Sequence, residues 1–320
     1  MRPVIGAVVI GRNEGERLVR CLASMAGAAE QIIYVDSGST DGSVAAAEAA
    51  GAKVVALDMT QPFTAARARN AGLEVLRAAS PRPDYVQFVD GDCALQPDWI
   101  ATARDFLAAN PKAAVACGRR RERFPEASIY NRLIDREWDT PIGLAMYCGG
   151  DAMMRMAALD QVGGYRDDLI AGEEPELCVR LRQKDWEIWR LDAEMTLHDA
   201  AITRLGQWWT RTRRAGFAAA EGIALHGHLP ERHGVRWTLR AVAWGVILPV
   251  AGLIWLPWSL LLWLAYPAQI ARMAGKRGGD RWGWESAFFG MLGKFPEAQG
   301  ALGYLWARLT RRRARLIEYK

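Results

Sequence analysis

Two aspartates separated by a glycine, Asp90-Gly91-Asp92, directly follow the apolar stretch Tyr-Val-Gln-Phe-Val. That stretch has the composition of a buried strand, so both carboxylates are expected at the edge of a sheet, where the glycine lets the backbone turn. Hard divalent cations such as Mg2+ or Mn2+ prefer oxygen ligands and often share a site with substrate phosphates. The pair therefore predicts a metal site able to hold a diphosphate, although an isolated Asp-x-Asp also occurs in turns and in phosphatases.

Two further polar clusters follow predicted strands. Arg12-Asn13-Glu14 comes after residues 4–10, and the run from Asp36 to Gly42 comes after residues 32–35. In open α/β sheets the carboxyl ends of the strands form the ligand crevice, so all three clusters are expected at one site. Ser, Asp and Gly also favour helix caps and turns, so any one cluster alone could be purely structural.

The first hundred residues alternate short apolar runs with helical patterns, which is typical of an α/β fold with a mostly parallel sheet. The pattern predicts strands over 4–10, 32–35, 53–57 and 85–89, and helices over 16–25, 43–50 and 65–78. The sequence contains neither GxGxxG nor GxxxxGK[ST], which argues against dinucleotide-binding and P-loop folds.

Four motifs occur together in one order: Asn13-Glu14, Asp36 to Gly42, Ala68-Arg69-Asn70-Ala71-Gly72 and Phe88-Val89-Asp90-Gly91-Asp92. Over about residues 3 to 200 the chain thereby resembles family 2 glycosyltransferases of the GT-A (Rossmann-like) fold. The resemblance implies that Asn13, Glu14 and Asp36 surround the nucleotide base and ribose and that Arg69 lies near the nucleotide. It also implies that Asp90, beside Gly91, contacts the ribose or the metal, and that Asp92 is a metal ligand.

The turn Gly149-Gly150-Asp151 resembles the acceptor side of the same family. Glu173-Glu174-Pro175 resembles its acidic motif, in which the second acid is commonly the general base. Pro175 suits the first position of a helix, which would place Glu174 at the cap, where the positive helix end favours the ionised carboxylate. Glu replaces the usual Asp, so Glu174 is the first candidate base and Glu173 the second; a plain helix cap is the alternative.

His198 ends the strand-like stretch 188–197 and resembles the histidine that some GT-A enzymes recruit as a further metal ligand. A neutral imidazole can bind Mn2+, but a lone histidine is more often simply packed. The next segment resembles, without matching, the one that closes over the active site in processive relatives. Arginines can neutralise a diphosphate leaving group, and tryptophan faces can stack on sugars. An amphipathic helix at a bilayer surface is the alternative for these residues, which are Trp208, Trp209, Arg211 and Arg214.

Residues 241–271 contain no Asp, Glu, Lys, Arg or His and have positive flanks on both sides. Three prolines interrupt the stretch, which is longer than one membrane crossing and shorter than two. Positive flanks favour a re-entrant segment or short hairpin over a single span, and the tryptophans argue against a soluble core. Residues 271–320 hold 11 Lys or Arg against 4 Asp or Glu, and the helical patterns there predict amphipathic basic helices on anionic lipid. Nucleic acid is the less favoured partner.

The five cysteines are scattered and form no CxxC pair, which indicates a reducing compartment, and no secretory signal is evident. The expected location is the cytoplasmic face of a bacterial inner membrane.

Together these patterns predict a GT-A catalytic domain over 1–225 and a membrane-associated helical region over 226–320. The expected reaction is inverting, Mn2+- or Mg2+-dependent transfer from a nucleotide-diphosphate sugar, with UDP-sugars considered first. The acceptor would be lipid-linked or a polysaccharide. A nucleotidyltransferase, which would release diphosphate, and a non-catalytic membrane-bound scaffold are the alternatives.

Overall fold

The computed structural model describes residues 2–254 and 258–311, with the side chain of Trp258 left out. The chain divides into two compact units, Met1–Thr203 and Arg204–Lys320. The helix over 205–226, which the sequence assigned to the first domain, thus falls in the second unit. The predicted boundary at 225 stays a prediction. Trp255 of the predicted apolar segment and the basic residues Arg312 and Arg313 lie outside the described residues.

In the described part of the first unit, one sheet contains nine strands: β1 Ile5–Gly11, β2 Gln31–Asp36, β3 Lys53–Ala56, β4 Tyr85–Asp90, β5 Cys93–Leu95, β6 Ala113–Glu122, β7 Gly143–Leu144, β8 Ala152–Arg155 and β9 Glu187–His198. Its α-helices are α1 Glu16–Met25, α2 Ser43–Ala49, α3 Ala65–Arg77, α4 Trp99–Ala109, α5 Ile129–Glu137, α6 Met156–Val162 and α7 Glu173–Arg182. The α/β fold and the early elements predicted from the sequence are confirmed, with boundaries shifted by one residue or none.

The strand order is β3-β2-β1-β4-β8-β6-β9-β5, with β7 paired to β9. Strands β1 to β4 are parallel, and their register places Gly11 opposite Asp36 and Ile10 opposite Asp90. The expected convergence of strand ends is therefore real for β1, β2 and β4. The antiparallel pairing of β5 with β9, which the sequence did not predict, places Cys93 opposite His198.

Helix α3 lies directly on the sheet because Gly72 has no side chain. A Cβ atom at Gly72 would lie 2.5 Å from Cγ1 of Val8 on β1 and 3.1 Å from Cγ2 of Val35 on β2. A crossover helix runs against its parallel strands, so its first turns reach the carboxyl ends of those strands. The close approach thereby brings Arg69, one turn before Gly72, to the edge that carries Asp90.

Helix α7 begins two residues before Pro175, which was the predicted first residue of the helix. Gly172, with φ of 78°, precedes the helix, and Glu173 is its first residue, so Pro175 is the third. The placement of Pro175 at the first position was wrong, because the whole first turn lacks intrahelical N–H partners and tolerates proline. Leu177, Cys178 and Leu181 of this helix are buried.

The second unit is helical in its described residues, with α8 Leu205–His226, α9 Val235–Val242, α10 Leu248–Ile254, α11 Ala265–Lys276, α12 Arg281–Leu292 and α13 Lys294–Leu309. A π-helical segment over Ala243–Ile247 joins α9 to α10. The continuous helix Val235–Ile254 is 20 residues long and apolar enough to cross a membrane, and 11% of its most apolar window is buried. Length and composition alone are weak evidence for a membrane span.

Two described parts of the apolar segment, far apart along the chain, are in contact. The Tyr266 hydroxyl donates a hydrogen bond to the carbonyl oxygen of Trp244, 22 residues earlier. A straight helix of that length would span about 33 Å, so the contact requires a reversal of the chain. The ring of Tyr266 also stacks on Phe295, with ring centroids 5.9 Å apart. Insertion of this segment into a membrane stays a prediction.

We expect Gly72→Ala to lower the free energy of unfolding by about 1 to 3 kcal/mol, because the added methyl group must push α3 away from Val8. Gly42→Ala is the matched control, since Gly42 has an ordinary φ of −76° and a Cβ atom added there would meet no described atom within 4 Å. Urea unfolding of both variants would test this. Equal stability of the two would show that α3 is not held against the sheet at Gly72.

Candidate active site

The loops after β1 and β2 are tied together by hydrogen bonds. The backbone N–H of Asn13, whose φ is 55°, donates to Oγ of Ser39 (2.9 Å), and Oδ1 of Asn13 accepts from the N–H of Thr40 (2.7 Å). The buried Asp36 carboxylate accepts from the Tyr34 hydroxyl and from the N–H groups of residues 38 and 39. Because burial raises the pKa of Tyr34, that hydroxyl stays a donor. The two loops thus form one preorganised edge.

A buried arginine joins α3, β4 and α7. The side chain of Arg69 is 3% exposed, and its two terminal nitrogens lie 2.7 Å from Oδ1 of Asp90 and 2.7 Å from Oε1 of Glu173. Burial by itself would lower the pKa of Arg69, but the two carboxylates outweigh it and raise that pKa. The guanidinium therefore remains charged and fixes both acids, which come from distant parts of the sequence.

A second arginine, Arg120 of β6, lies on the other side of Asp90. Its guanidinium is 3.5 Å from Oδ2 of Asp90 and 3.5 Å from Oδ2 of Asp151. Asp151 is fully buried and accepts hydrogen bonds from the N–H of Asp90 and from Oγ1 of Thr196. The predicted acceptor-side aspartate therefore braces β4 against β8 and β9.

The glycine turn before β8 lets the backbone approach this charged group. A Cβ atom at Gly150 would lie 3.0 Å from Nη2 of Arg69 and 3.1 Å from Oδ2 of Asp90, while Gly149 has φ of 81°. Glu14 borders the same edge, since its Cγ is 3.1 Å from the Cβ position of Gly91, and its carboxylate pairs with Arg17 at 2.8 Å.

Asp92 and His198 form a second group, separate from the Arg69 pairs. Nε2 of His198 lies 3.4 Å from Oδ2 of Asp92, and both side chains are about 6% exposed. Burial, and to a smaller extent the charge of Arg120, lowers the pKa of His198. The imidazole is therefore neutral near pH 7 and can bind a metal ion. Ligands about 2.1 Å from one ion lie roughly 3 to 3.5 Å apart, so this pair fits a divalent cation.

The ligating atoms of Asp92, Cys93 and His198 all lie within 4.8 Å of one another. Burial raises the pKa of Cys93, which keeps that thiol protonated and leaves a carboxylate and an imidazole as the ligands suited to Mn2+ or Mg2+. Asp90 falls instead into a group with Cys93 and Asp151. The structure thus brings His198 to Asp92, whereas both oxygens of Asp90 face arginines.

Two side chains lie beside the imidazole. The ring of Trp138 contacts His198 edge-on at a centroid distance of 4.9 Å and also lies 4.7 Å from the guanidinium carbon of Arg120. Oε2 of Glu122 is 3.7 Å from Nδ1 of His198 and accepts a hydrogen bond from the N–H of Ala200. This separation is longer than a hydrogen bond, so Glu122 lies behind the imidazole without fixing it in this structure.

The two candidate bases have different surroundings. Glu173 pairs with Arg69, as described above. Glu174 is 7% exposed, and its Oε1 accepts from the N–H of Cys148 at 2.5 Å and from Sγ of Cys178 at 3.1 Å. Among the described residues, no hydrogen bond engages its Oε2. Glu174 is thus anchored through one oxygen only.

The predicted residues after 203 belong to the second unit. Trp208 is buried there against Phe289, with ring centroids 5.2 Å apart, and Nε1 of Trp209 donates to Gln299. Arg211 and Arg214 lie on the same helix, α8. Contacts of these four side chains with a sugar or a diphosphate stay predictions.

Sequence reasoning missed Arg120, Glu122 and Trp138. The first two end the apolar strand β6 and could have been found by applying the strand-end rule to that strand as well. Trp138, which lies just after α5, gave no such signal.

Comparison with known proteins identifies a family. Residues 7–163 match the family model described as glycosyl transferase family 2. A TPR repeat-containing protein of Synechococcus elongatus is 34% identical over 88 residues, which is 28% of this chain and 20% of that protein. The match therefore spans about a fifth of that relative.

Several solved structures are similar to this chain. A mannosyltransferase of Pyrobaculum calidifontis, in complex with GDP-Man and Mn2+, superposes with a TM-score of 0.64 at 18% identity over 96% of this chain and 88% of its own. S. aureus TarS 1–349 gives a TM-score of 0.52 at 14% identity over 95% and 92%. Glucosyl-3-phosphoglycerate synthase of Mycobacterium tuberculosis gives 0.50 at 17% over 69% and 79%. At these identities the likeness shows the fold, and the predicted GT-A fold is confirmed.

We expect Asp92→Asn to weaken Mn2+ binding at least tenfold, because the change removes a charged ligand and even outer-sphere changes cost about 10- to 100-fold in affinity. Calorimetric titration of Mn2+ would measure this. Asp98→Asn, an exposed acid without a side-chain cap bond, is the control. Unchanged affinity in the Asp92 variant would remove Asp92 from the metal site.

Proposed function

Because residues 7–163 match glycosyl transferase family 2, we propose that the chain is an inverting enzyme that moves a sugar from a nucleotide-diphosphate sugar to an acceptor hydroxyl at a membrane. One observation carries this proposal. Arg69 with its two acids and the Asp92–His198 pair meet at one edge of the sheet, together with the tied loops of Asn13 and Asp36.

On the donor side, the loops of Asn13 and Asp36 would receive the base and ribose. Asp92 and His198 would hold Mn2+ or Mg2+, and a bound divalent ion stabilises the negative charge of the leaving diphosphate. Arg69 and Arg120 hold Asp90 from both sides, so its carboxylate is fixed where the ribose is expected. The mannosyltransferase that shares the fold binds GDP-Man with Mn2+, which supports this class of donor.

On the acceptor side, Glu174 is the proposed general base. Its Oε1 is anchored by a backbone N–H, which leaves Oε2 to take the proton of the acceptor hydroxyl as that oxygen attacks the anomeric carbon. Glu173 is the weaker candidate, because its charge is committed to Arg69 at 2.7 Å.

The second unit supports a membrane-bound acceptor, either lipid-linked or a growing polysaccharide. Its large apolar side chains remain strongly exposed along Val235–Ile254 and the following 3-10 helix; those at least 59% exposed are Leu239, Ile247, Leu253, Ile254, Leu261 and Leu264. Leaving such area in water costs about 25 cal/mol per Å2, which acyl chains would relieve. Nearby arginines suit anionic lipid, and five free cysteines suit a cytoplasmic catalytic unit.

We expect Glu174→Gln to lower kcat about 10²- to 10⁴-fold while donor binding is retained, because the amide cannot accept the proton. The assay is nucleoside diphosphate release from a panel of UDP- and GDP-sugars with Mn2+ and a membrane extract. Glu126→Gln, whose side chain is 83% exposed, is the control. Full turnover by the Glu174 variant would reject Glu174 as the base, and release of inorganic diphosphate instead would indicate a nucleotidyltransferase.

A double variant, Ile247→Glu with Leu253→Glu, tests the membrane proposal separately. Two carboxylates on the exposed apolar helix should reduce co-sedimentation of the full chain with anionic phospholipid vesicles several-fold, because charges resist entry into the acyl region. Val19→Glu places a charge on an exposed apolar position of the first unit and should leave sedimentation unchanged. Equal sedimentation of all three proteins would contradict a membrane role for this helix.

A further inference from the structure

Two thiols and a carboxylate converge beside the proposed base, away from the Asp92–His198 pair. Sγ of Cys148 lies 3.7 Å from Sγ of Cys178, and Sγ of Cys178 lies 3.1 Å from Oε1 of Glu174. One potential ligand atom from each of the three side chains falls within 4.8 Å of the others, and all three residues are buried. None of the donor-binding steps above uses the two thiols.

The geometry matches a tetrahedral thiolate site. With metal–sulfur bonds of about 2.3 Å, two cysteine sulfurs on one tetrahedral zinc lie roughly 3.8 Å apart, close to the separation observed. A disulfide would require about 2.05 Å, so the two sulfurs would have to move together substantially. In a reducing compartment a convergent cysteine pair is also more often a metal site than a crosslink.

We propose that Cys148, Cys178 and Glu174 form a second metal site, selective for thiophilic divalent ions of the Zn2+ class. Each thiol would release its proton to solvent on binding and coordinate as a thiolate, with a Glu174 oxygen as third ligand and water as the fourth. Bound there, the ion would engage the carboxylate that the proposed function assigns as base. Binding at this site is independent of that assignment, whereas inhibition by the ion rests on it.

The chemistry of the ligands separates this site from the Asp92–His198 site. Both thiols are buried, so their sulfur atoms are shielded from water in the ion-free protein. Mn2+ and Mg2+ prefer oxygen and imidazole ligands and gain little from displacing thiol protons. A thiophilic ion gains two strong metal–sulfur bonds, so the two sites would discriminate between ion classes.

The site would also join two elements that contact substrates in the proposed reaction. Cys148 directly precedes the Gly149–Gly150 turn, while Glu174 and Cys178 are four residues apart on one face of α7. An ion bound to all three would link the turn to the helix. Because it would bind only the folded arrangement, it should raise the unfolding temperature of the full chain.

Cadmium serves as the probe, because a cadmium–thiolate bond gives an ultraviolet charge-transfer band. Cd2+ is titrated into the full chain with Mn2+ present and a non-thiol reductant. We expect a band that saturates at one ion per chain and is lost in Cys148→Ser and in Cys178→Ser. Cys21→Ser, which removes a buried thiol of the core, should keep the band. Melting curves without added metal show that each variant is folded.

Two results would overturn the proposal. One is the absence of a saturable band in the folded wild-type chain. The other is a band that survives in both Cys148→Ser and Cys178→Ser but disappears in Cys93→Ser, which would place the ion in the Asp92 group instead. Glycosyl transfer is then measured with and without Zn2+. If the ion binds as proposed but does not inhibit, the metal site stands and the assignment of Glu174 as base fails.

Discussion

The site depends on the buried ion pairs of Arg69. This guanidinium joins Asp90 at the end of β4 to Glu173 at the start of α7, while belonging to a third element, α3. Removing one partner from a buried charge pair typically costs about 3 to 5 kcal/mol. Separating the three elements would therefore cost a comparable free energy. Two glycines make the arrangement possible: Gly72 lets α3 lie against the sheet, and Gly150 lets the acceptor-side turn approach the charges.

The two aspartates of the Asp-Gly-Asp motif have different neighbours. Asp90 faces Arg69 on one side and Arg120 on the other, so its charge is already balanced. Asp92 instead lies beside the imidazole of His198, whose Nε2 is 3.4 Å from its Oδ2. Two acids separated by one residue therefore differ in their surroundings, although their own chemistry is the same.

How much of the site could be predicted from the sequence depends on how far apart along the chain the contacting residues lie. The meeting of Asn13, Asp36 and Asp90 follows from a local rule, because parallel strands end at one edge. The family resemblance supplied Arg69, Glu173 and Glu174. Trp138 could not be placed, because no local pattern brings the residue after α5 to His198 and Arg120. The same limit applies to Asp151, whose bracing role depends on Thr196.

The replacement of the usual aspartate by Glu174 gains a physical meaning from its surroundings. The extra methylene lets one carboxylate oxygen reach the backbone N–H of Cys148 and the thiol of Cys178. The same reach brings a hard oxygen ligand next to two soft sulfur ligands. A shorter side chain at this position would loosen both contacts together, so the proposed base and the proposed thiophilic metal site depend on the same side chain.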